Sequence, residues 1–185
     1  MGIKKQTPNA DGNKMNTGDK IKRQLGMEPV PDEGGSFVRI HTGAPLPGTK
    51  SPSVTSILYL LRGAEYSRWH KLGCDELWNY HAGETARQLV LFPDGTCEER
   101  KIGPDVLQGE MPQSLVPAGS WQSTVLTRRT EDAWGLFGTV CTPGFEYELY
   151  TGGEPAELMK QYPGAAERIR TFGTTTPCNG INTEG

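Results

Sequence analysis

Ser67-Arg-Trp-His-Lys-Leu-Gly-Cys-Asp-Glu-Leu-Trp-Asn-Tyr-His-Ala-Gly83 is the stretch of sequence that decides the fold. It consists of two aromatic-rich runs separated by Gly73-Cys-Asp75. Gly and Asp between two such runs are typical of a turn that joins two strands. The stretch therefore predicts a strand, a tight turn and a second strand.

The alternation of the two strands brings polar and aromatic side chains together. On an extended strand, residues two apart share a face, so Glu76, Trp78 and Tyr80 point in one direction. His70 and Leu72 share a face on the preceding strand, and the turn can bring the two faces together. A carboxylate and an imidazole among aromatic rings indicate a small-molecule site. They are equally typical of a hydrogen-bonded pair within a core.

The flanking sequence also has the pattern of an all-β protein. Residues 54–61 form an apolar, β-branched run that predicts a central strand, and 87–102 predict a hairpin with Pro93-Asp-Gly at its turn. Further strands are predicted at 37–41, 113–116, 121–126, 134–141 and 145–150. About ten short strands at this spacing favour a sandwich or a barrel.

Length and composition agree with one turn-rich domain. The chain has 185 residues, 24 of them Gly and 14 Pro, with a hydrophobic share of 35%. We predict a disordered N-terminal segment at 1–17, one domain at 18–165 and a helical or disordered tail at 166–185. Short helices are expected at 20–25, 155–162 and 165–172.

Charge and hydropathy argue against several classes of protein. The net charge is −3 and the basic residues are scattered, so we expect no nucleic-acid partner. No apolar run is long enough to span a bilayer, and the N-terminus lacks a signal-peptide core, so we expect no membrane association. The four cysteines form no CxxC pair, which favours reduced thiols and a cytoplasmic location.

Several residues stand at positions that resemble the sequence signatures of the cupin superfamily, whose members are jelly-roll barrels. Gly63, His70, Glu76 and Gly83 resemble its first signature, in which a Gly, an HxH pair, a Glu and a Gly follow at set spacing. Pro117-Ala-Gly119 with the following Gln122 resembles its second signature, a PxG motif followed by a histidine.

A closer resemblance is to the fifth cupin domain family, a domain of unknown function, and it extends over about residues 18–165. The motifs that carry it are Pro31-Asp-Glu-Gly-Gly-Ser-Phe37, Ser67-Arg-Trp-His70, Asp75-Glu-Leu-Trp78, Phe92-Pro-Asp-Gly95, Gly109-Glu-Met-Pro-Gln113, Val116-Pro-Ala-Gly119-Ser-Trp-Gln122 and Pro143-Gly-Phe-Glu146. The resemblance implies an all-β double-stranded β-helix (jelly roll) with short terminal helices, a ligand cavity in the barrel and a homodimer. It implies no particular reaction.

Two departures from the cupin signatures bear on metal binding. Leu72 stands where the second histidine of the pair belongs, and Gln122 stands where the histidine of the second signature belongs. A four-ligand cupin metal site needs three histidines and a carboxylate, and the whole chain has three histidines. We therefore expect no cofactor. A divalent transition metal held by His70, Glu76 and Gln122 is the alternative.

Without a metal, the predicted catalytic residues are His70, Glu76 and Tyr80. Imidazole titrates near neutrality, so the histidine and the glutamate indicate proton transfer. Tyr80 or Tyr59 can donate from the opposite face of a substrate, by analogy with sugar-epimerising cupins. Proton abstraction next to a carbonyl predicts an isomerase, an epimerase or a lyase.

Further residues are candidates for binding the small-molecule substrate. Arg39 suits a carboxylate or phosphate group, since its guanidinium binds such groups through two parallel hydrogen bonds. The other substrate-binding candidates are Tyr59, Trp78, Gln113, Gln122 and Trp134. Each of these side chains suits barrel packing equally well. A non-catalytic ligand-binding or storage protein therefore stays open as an alternative, as does a metal-dependent, oxygenase-like enzyme.

Overall fold

The structure of the protein is a computed structural model, which describes residues 15–172. The predicted disorder at 1–14 and the predicted tail from 173 onward lie outside the described residues. Residues 15–17, which were also predicted to be disordered, lead into the first helix.

The described chain forms eleven strands and three α-helices. In chain order the elements are α1 (Thr17–Gln24), β1 (Glu28–Pro29), β2 (Ser36–Thr42), β3 (Thr55–Arg62), β4 (Tyr66–Leu72), β5 (Asp75–Gly83), β6 (Ala86–Leu91), β7 (Cys97–Ile102), β8 (Gln113–Val116), β9 (Trp121–Leu126), β10 (Trp134–Thr142), β11 (Tyr150–Gly152), α2 (Pro155–Gln161) and α3 (Ala166–Phe172). Single turns of 3-10 helix lie at Val106–Gln108, Tyr147–Leu149 and Pro163–Ala165.

The strands form two antiparallel sheets that face each other. The order in the six-stranded sheet is β1-β2-β3-β10-β5-β8, and in the five-stranded sheet it is β11-β4-β9-β6-β7. From β3 to β6, and again from β7 to β11, strands that are consecutive in the sequence lie in different sheets, as in a jelly roll. The predicted all-β jelly roll with short terminal helices is confirmed.

The turn at Gly73 connects the two sheets. Strand β4 belongs to the five-stranded sheet and β5 to the six-stranded sheet, so the turn places His70 and Glu76 on opposing inner faces. The Asp75 carboxylate accepts a hydrogen bond from the backbone N–H of Ala118 at 2.8 Å, which ties this turn to the Pro117-Ala-Gly119 turn. The predicted strand–turn–strand unit is confirmed.

Large apolar side chains fill one end of the space between the sheets. Leu61, Trp78, Val90, Ile102 and Phe137 are buried there and pack into one cluster. Burying such a side chain contributes about 1.5–3 kcal/mol to the stability of the fold. The packed cluster leaves the other end of the barrel available for a cavity.

The helices lie outside the barrel. Helix α1 begins at Thr17, three residues earlier than predicted, because the side chain of Asn16 accepts a hydrogen bond from the Asp19 N–H at 2.8 Å and caps it. Ile169 and Phe172 of α3 are buried in a cluster with Trp69 of β4, on the outer side of the five-stranded sheet. The predicted tail at 166–185 therefore begins with a packed helix.

The strand predicted at 145–150 is wrong. This segment contains the 3-10 turn Tyr147–Leu149, and only Tyr150 starts the short strand β11. The backbone N–H of Phe145 donates to the Thr55 hydroxyl at 2.9 Å, and the carbonyl of Leu149 accepts from Gly73 N–H at 2.9 Å. These contacts hold the segment across the end of the barrel instead of along a sheet.

Candidate active site

A cavity of about 330 Å³ lies between the two sheets. This volume is in the range of ordinary small-molecule sites. The inner faces of β2, β3, β4, β5 and β10 supply part of the wall, and residues 30–33 and 145–150 supply the rest. Five of the residues predicted from the sequence line it: Arg39, Tyr59, His70, Glu76 and Trp78.

His70 is held in one tautomer by a backbone contact. It is buried, and its Nδ1 lies 2.8 Å from the carbonyl oxygen of Arg68. A carbonyl only accepts hydrogen bonds, so Nδ1 carries the proton and Nε2 of the neutral ring is the basic atom. The ring stacks on Tyr150, with centroids 5.6 Å apart. His70 thus presents a base in a fixed orientation.

One carboxylate oxygen of Glu76 is fixed, whereas the other makes no hydrogen bond. Glu76 Oε2 accepts from Gln122 Nε2 at 2.6 Å and from Trp78 Nε1 at 3.1 Å. Glu76 Oε1 accepts no hydrogen bond from the residues that the structure describes. Since Glu76 lines the cavity, this second oxygen is available to a ligand. His70 and Glu76 are not hydrogen-bonded to each other.

A buried polar network orients Gln122. Its Oε1 accepts from Trp78 Nε1 at 3.2 Å and from Gln88 Nε2 at 3.3 Å, so its NH₂ group points to Glu76. The Oε1 of Gln88 in turn accepts from the Ser114 hydroxyl at 2.6 Å. Gln122 is fully buried behind Glu76 and does not line the cavity. Its structural role is to position the glutamate.

Glu33 is a second cavity carboxylate that the sequence interpretation missed. It lies in the turn between β1 and β2 and lines the cavity, where its Oε1 accepts from the Ser67 hydroxyl at 2.9 Å. Burial raises the pKa of Glu33, and the nearby charge of Glu76 raises it further, while His70 and the hydrogen bonds lower it. The signal was present in Pro31-Asp-Glu-Gly-Gly35, which belongs to one of the motifs that carry the family resemblance.

The phenol of Tyr59 is hydrogen-bonded to the same turn between β1 and β2. Its hydroxyl donates to the carbonyl of Gly34 at 2.8 Å. Burial, and then the charge of Glu33, raise the pKa of Tyr59 well above its ordinary value, so the phenol stays protonated. Because its proton is committed to a backbone carbonyl, Tyr59 is a wall residue of the cavity.

Tyr80, Gln113 and Trp134 do not line the cavity, and their predicted placement is corrected. Tyr80 lies on the expected side of β5, but the ring of Phe137 packs against both Tyr80 and Trp78, with centroids 6.2 and 5.8 Å apart. Tyr80 thus packs against the buried core and does not line the cavity. The Tyr80 hydroxyl donates to the carbonyl of Gly83 at 2.7 Å.

Gln113 and Trp134 point away from the barrel interior. In β8 the neighbouring Ser114 is buried, so Gln113 faces outward, where its Nε2 donates to the Asn79 side chain at 2.7 Å. Trp134 is half-buried, and its Cβ lies beside Gly18 of helix α1. Neither residue is brought together with His70.

The cavity residues do not fit the four-ligand cupin metal site. Leu72 lines the cavity with an alkyl group, and Gln122 turns an NH₂ group, which cannot ligate, toward Glu76. His41 and His81 are exposed and do not line the cavity. Among residues 15–172, no group of three or more His, Cys, Asp or Glu side chains is arranged to hold a metal ion. The donor set therefore disagrees with the metal chemistry of other cupins.

The family can now be assigned from comparison with known proteins. Residues 19–151 match the family described as "Cupin superfamily (DUF985)". The chain belongs to this cupin family. The family description specifies no reaction, so any activity has to be inferred from the residues of the site.

Proteins similar to this cupin are known from several organisms, two of them as solved structures. A hypothetical protein from Leishmania major has a TM-score of 0.76 and 25% identity, covering 85% of this chain and 98% of its own. A protein from Shewanella oneidensis has a TM-score of 0.77 and 27% identity, and the match covers 87% of this chain and 99% of the Shewanella chain. An uncharacterized protein of Saccharomyces cerevisiae is 31% identical over 77 residues, which are 41% of this chain and 38% of the yeast protein.

More distant similarity shows the fold alone. The oxalate decarboxylase of Lactobacillus farciminis has a TM-score of 0.50 and 9% identity, and covers 82% of this cupin and 43% of its own chain. Within residues 15–172 of this cupin, no helix has the length and apolar character required to cross a membrane.

Proposed function

We propose that this cupin is a metal-independent enzyme that moves a proton on a small carbonyl-bearing molecule, as an isomerase, an epimerase or a lyase. The observation that supports the proposal is the pairing of a base and an acid in one cavity. The contact of His70 Nδ1 with the Arg68 carbonyl leaves Nε2 as the basic atom of the neutral ring, and Glu33 keeps its proton to higher pH than an ordinary glutamate because its pKa is raised by burial. Two titratable groups with such different environments are typical of acid–base catalysis.

In this proposal His70 is the base. Its Nε2 removes a proton from the carbon next to the substrate carbonyl, and the Arg68 carbonyl stabilises the imidazolium that forms by accepting from Nδ1. Glu33 is the acid, and it donates its proton to the carbonyl oxygen as negative charge develops there. Return of the carbon-bound proton to another position gives an isomer or an epimer. Departure of a neighbouring group gives elimination.

Glu76 and the aromatic wall hold the substrate in this proposal. Glu76 has one oxygen fixed by Gln122 and Trp78, so its other oxygen presents a rigid acceptor to the ligand. Trp78 and Tyr59 pack edge to face with centroids 5.4 Å apart and close the floor of the cavity to water. An apolar floor strengthens the electrostatic interactions above it.

Deuterium incorporation tests the proposal without knowledge of the substrate. The protein is incubated in D₂O with a metabolite extract, and molecules that gain one mass unit at carbon are sought by mass spectrometry. We expect incorporation with the wild type, and its loss with His70→Ala and with Glu33→Gln. His41→Ala is the matched control, because His41 is exposed and does not line the cavity. Incorporation that persists in His70→Ala would contradict the assigned base.

A non-catalytic ligand-binding protein is the second candidate function. The observation that favours it is the Glu76–Gln122–Trp78 network, because fixed hydrogen bonds of this kind also serve to hold a ligand. It predicts a small molecule that is retained through purification, and no deuterium incorporation by any variant. Intact-mass measurement of the purified protein separates the two candidates.

A further inference from the structure

We infer that the cavity binds a small organic cation, with the ammonium group against Glu76 and the aromatic rings around it. This inference names the substrate class of the cavity on which the proposed function rests. It makes the substrate an amine-bearing carbonyl compound, in contrast to the carboxylate or phosphate expected from Arg39.

The charge of the lining residues supports a cationic ligand. Four carboxyl groups line the cavity, those of Asp32, Glu33, Glu76 and Glu146. Arg39 is the sole Lys or Arg among the described lining residues, and it is largely exposed. An anionic group deep in this cavity would meet like charge in a desolvated site, which is unfavourable.

The carboxylate of Glu76 lacks a cationic partner in the described part of the chain. Glu76 is only 7% exposed, and no ion pair there includes it. The hydrogen bonds from Gln122 and Trp78 satisfy one oxygen, while Oε1 has no hydrogen bond and borders the cavity. Desolvating a carboxylate without a compensating charge is costly, so an ammonium ligand gains free energy at this position.

The aromatic lining supplies the second part of a cation site. Six aromatic residues line the cavity: Phe37, Tyr59, Trp78, Phe145, Tyr147 and Tyr150. The face of an aromatic ring attracts an organic cation, by about 0.5–2 kcal/mol per contact depending on desolvation. Tyr59 with Trp78, and Phe145 with Tyr147, form edge-to-face pairs at 5.4 Å, so rings with different orientations surround the ligand.

Three ligands that share one skeleton test the inference by calorimetry at neutral pH. Tyramine carries an ammonium group, para-ethylphenol is neutral, and phloretate carries a carboxylate in place of the amine. We expect tyramine to bind at least about tenfold more tightly than para-ethylphenol, with phloretate the weakest, where tenfold corresponds to about 1.4 kcal/mol. Phloretate binding as tightly as tyramine, or no measurable tyramine binding, would overturn the inference.

Two glutamate variants test whether the carboxylate of Glu76 binds the ammonium group. Glu76→Gln should bring tyramine to the affinity of para-ethylphenol, because the substitution removes the negative charge assigned to the ammonium group. Glu148→Gln is the matched control, since Glu148 is exposed and does not line the cavity. A full preference for tyramine in Glu76→Gln would overturn the assignment of the ammonium to Glu76.

The comparison of ligands separates this inference from the proposed function. A preference for tyramine without deuterium incorporation supports the cation site and contradicts the enzyme. Deuterium incorporation with a preference for phloretate supports the enzyme and contradicts the cation site.

Discussion

The surroundings of Glu33 differ from those of Glu76, although both carboxyl groups line the cavity. One of its oxygens accepts from the Ser67 hydroxyl, and the charges of His70 and Glu76 act on it in opposite directions. Burial is the largest influence and favours the neutral acid, so the pKa of Glu33 is raised. This single residue supplies the acid of the proposed mechanism.

The raised pKa of Glu33 predicts a pH dependence of stability. Between the ordinary pKa of 4.5 and the raised value, the folded chain binds more protons at this site than the unfolded chain. The contribution of Glu33 to the free energy of unfolding is therefore fully present below 4.5 and is lost as the pH rises through that window. Glu33→Gln removes the titration, so we expect the variant to gain stability relative to the wild type with rising pH.

Urea unfolding of both proteins from about pH 4 to about pH 8 measures this difference. The exposed Glu148→Gln substitution is the control and should show no such trend. A difference between Glu33→Gln and the wild type that stays constant over this range would contradict the raised pKa.

The turn at residues 30–35 is the element that brings Glu33 into the cavity. The backbone hydrogen bonds that fix it include those from Arg68 N–H to the Glu33 carbonyl at 2.8 Å and from Val30 N–H to the Gly35 carbonyl at 3.2 Å. Gly34 lies at a φ of 99°, where residues with a Cβ are strained. A Cβ at Gly34 would also lie 2.5 Å from the backbone oxygen of Tyr66.

Alanine substitution at Gly34 should therefore loosen the turn. The matched control is Gly48→Ala, because Gly48 has a φ of 76° but no atom within 4 Å of an added Cβ. We expect Gly34→Ala to lower the free energy of unfolding by about 1–3 kcal/mol more than Gly48→Ala, since the added contact is with backbone. Urea unfolding measures both. Equal losses in the two variants would show that the turn has room to shift.

The whole molecule exposes an apolar face on the outer side of the six-stranded sheet. Residues that alternate with the cavity wall point outward there, and five of them are Ile40, Leu58, Leu77, Leu115 and Val140. Ile40 is 58% exposed and Leu115 is 48% exposed, while the other three are half-buried. The six strands have two to nine residues, and at about 3.3 Å per residue and about 4.8 Å spacing they present about 600 Å². This approaches the roughly 800 Å² that each partner buries in a standard interface.

We expect this face to bind a second copy of the chain, consistent with the homodimer that the family resemblance implies. Leu77→Lys combined with Leu115→Lys places two charges on the paired strands β5 and β8 of this face and should give a monomer, because an unpaired charge in an interface is costly. Leu107→Lys is the control, since Leu107 is 94% exposed on the 3-10 turn Val106–Gln108. Light scattering after size-exclusion chromatography measures the mass. A monomeric wild type, or a dimeric double variant, would contradict the prediction.

The sequence by itself determined the jelly roll and the inner faces of its strands. The alternation around Glu76 and Trp78, and the turn at Gly73, place these side chains and His70 in the barrel, because side-chain direction along a strand follows from a period of two residues. The signature positions of Leu72 and Gln122 also indicated a donor set that lacks two histidines. Strand alternation and turn chemistry are sufficient for the inner faces, whereas the jelly roll and the missing histidines follow from the resemblance to the cupin signatures.

The tertiary structure alone decided which inward residues border the cavity. Tyr80 lies on the predicted face of its strand, yet it packs against Phe137 of β10 and does not line the cavity. Glu33 has no strand pattern, yet the contact of its turn with β4 carries it into the barrel. The physical reason is that alternation fixes the face of a side chain, whereas its depth in the barrel and its neighbours depend on pairing between segments distant in sequence.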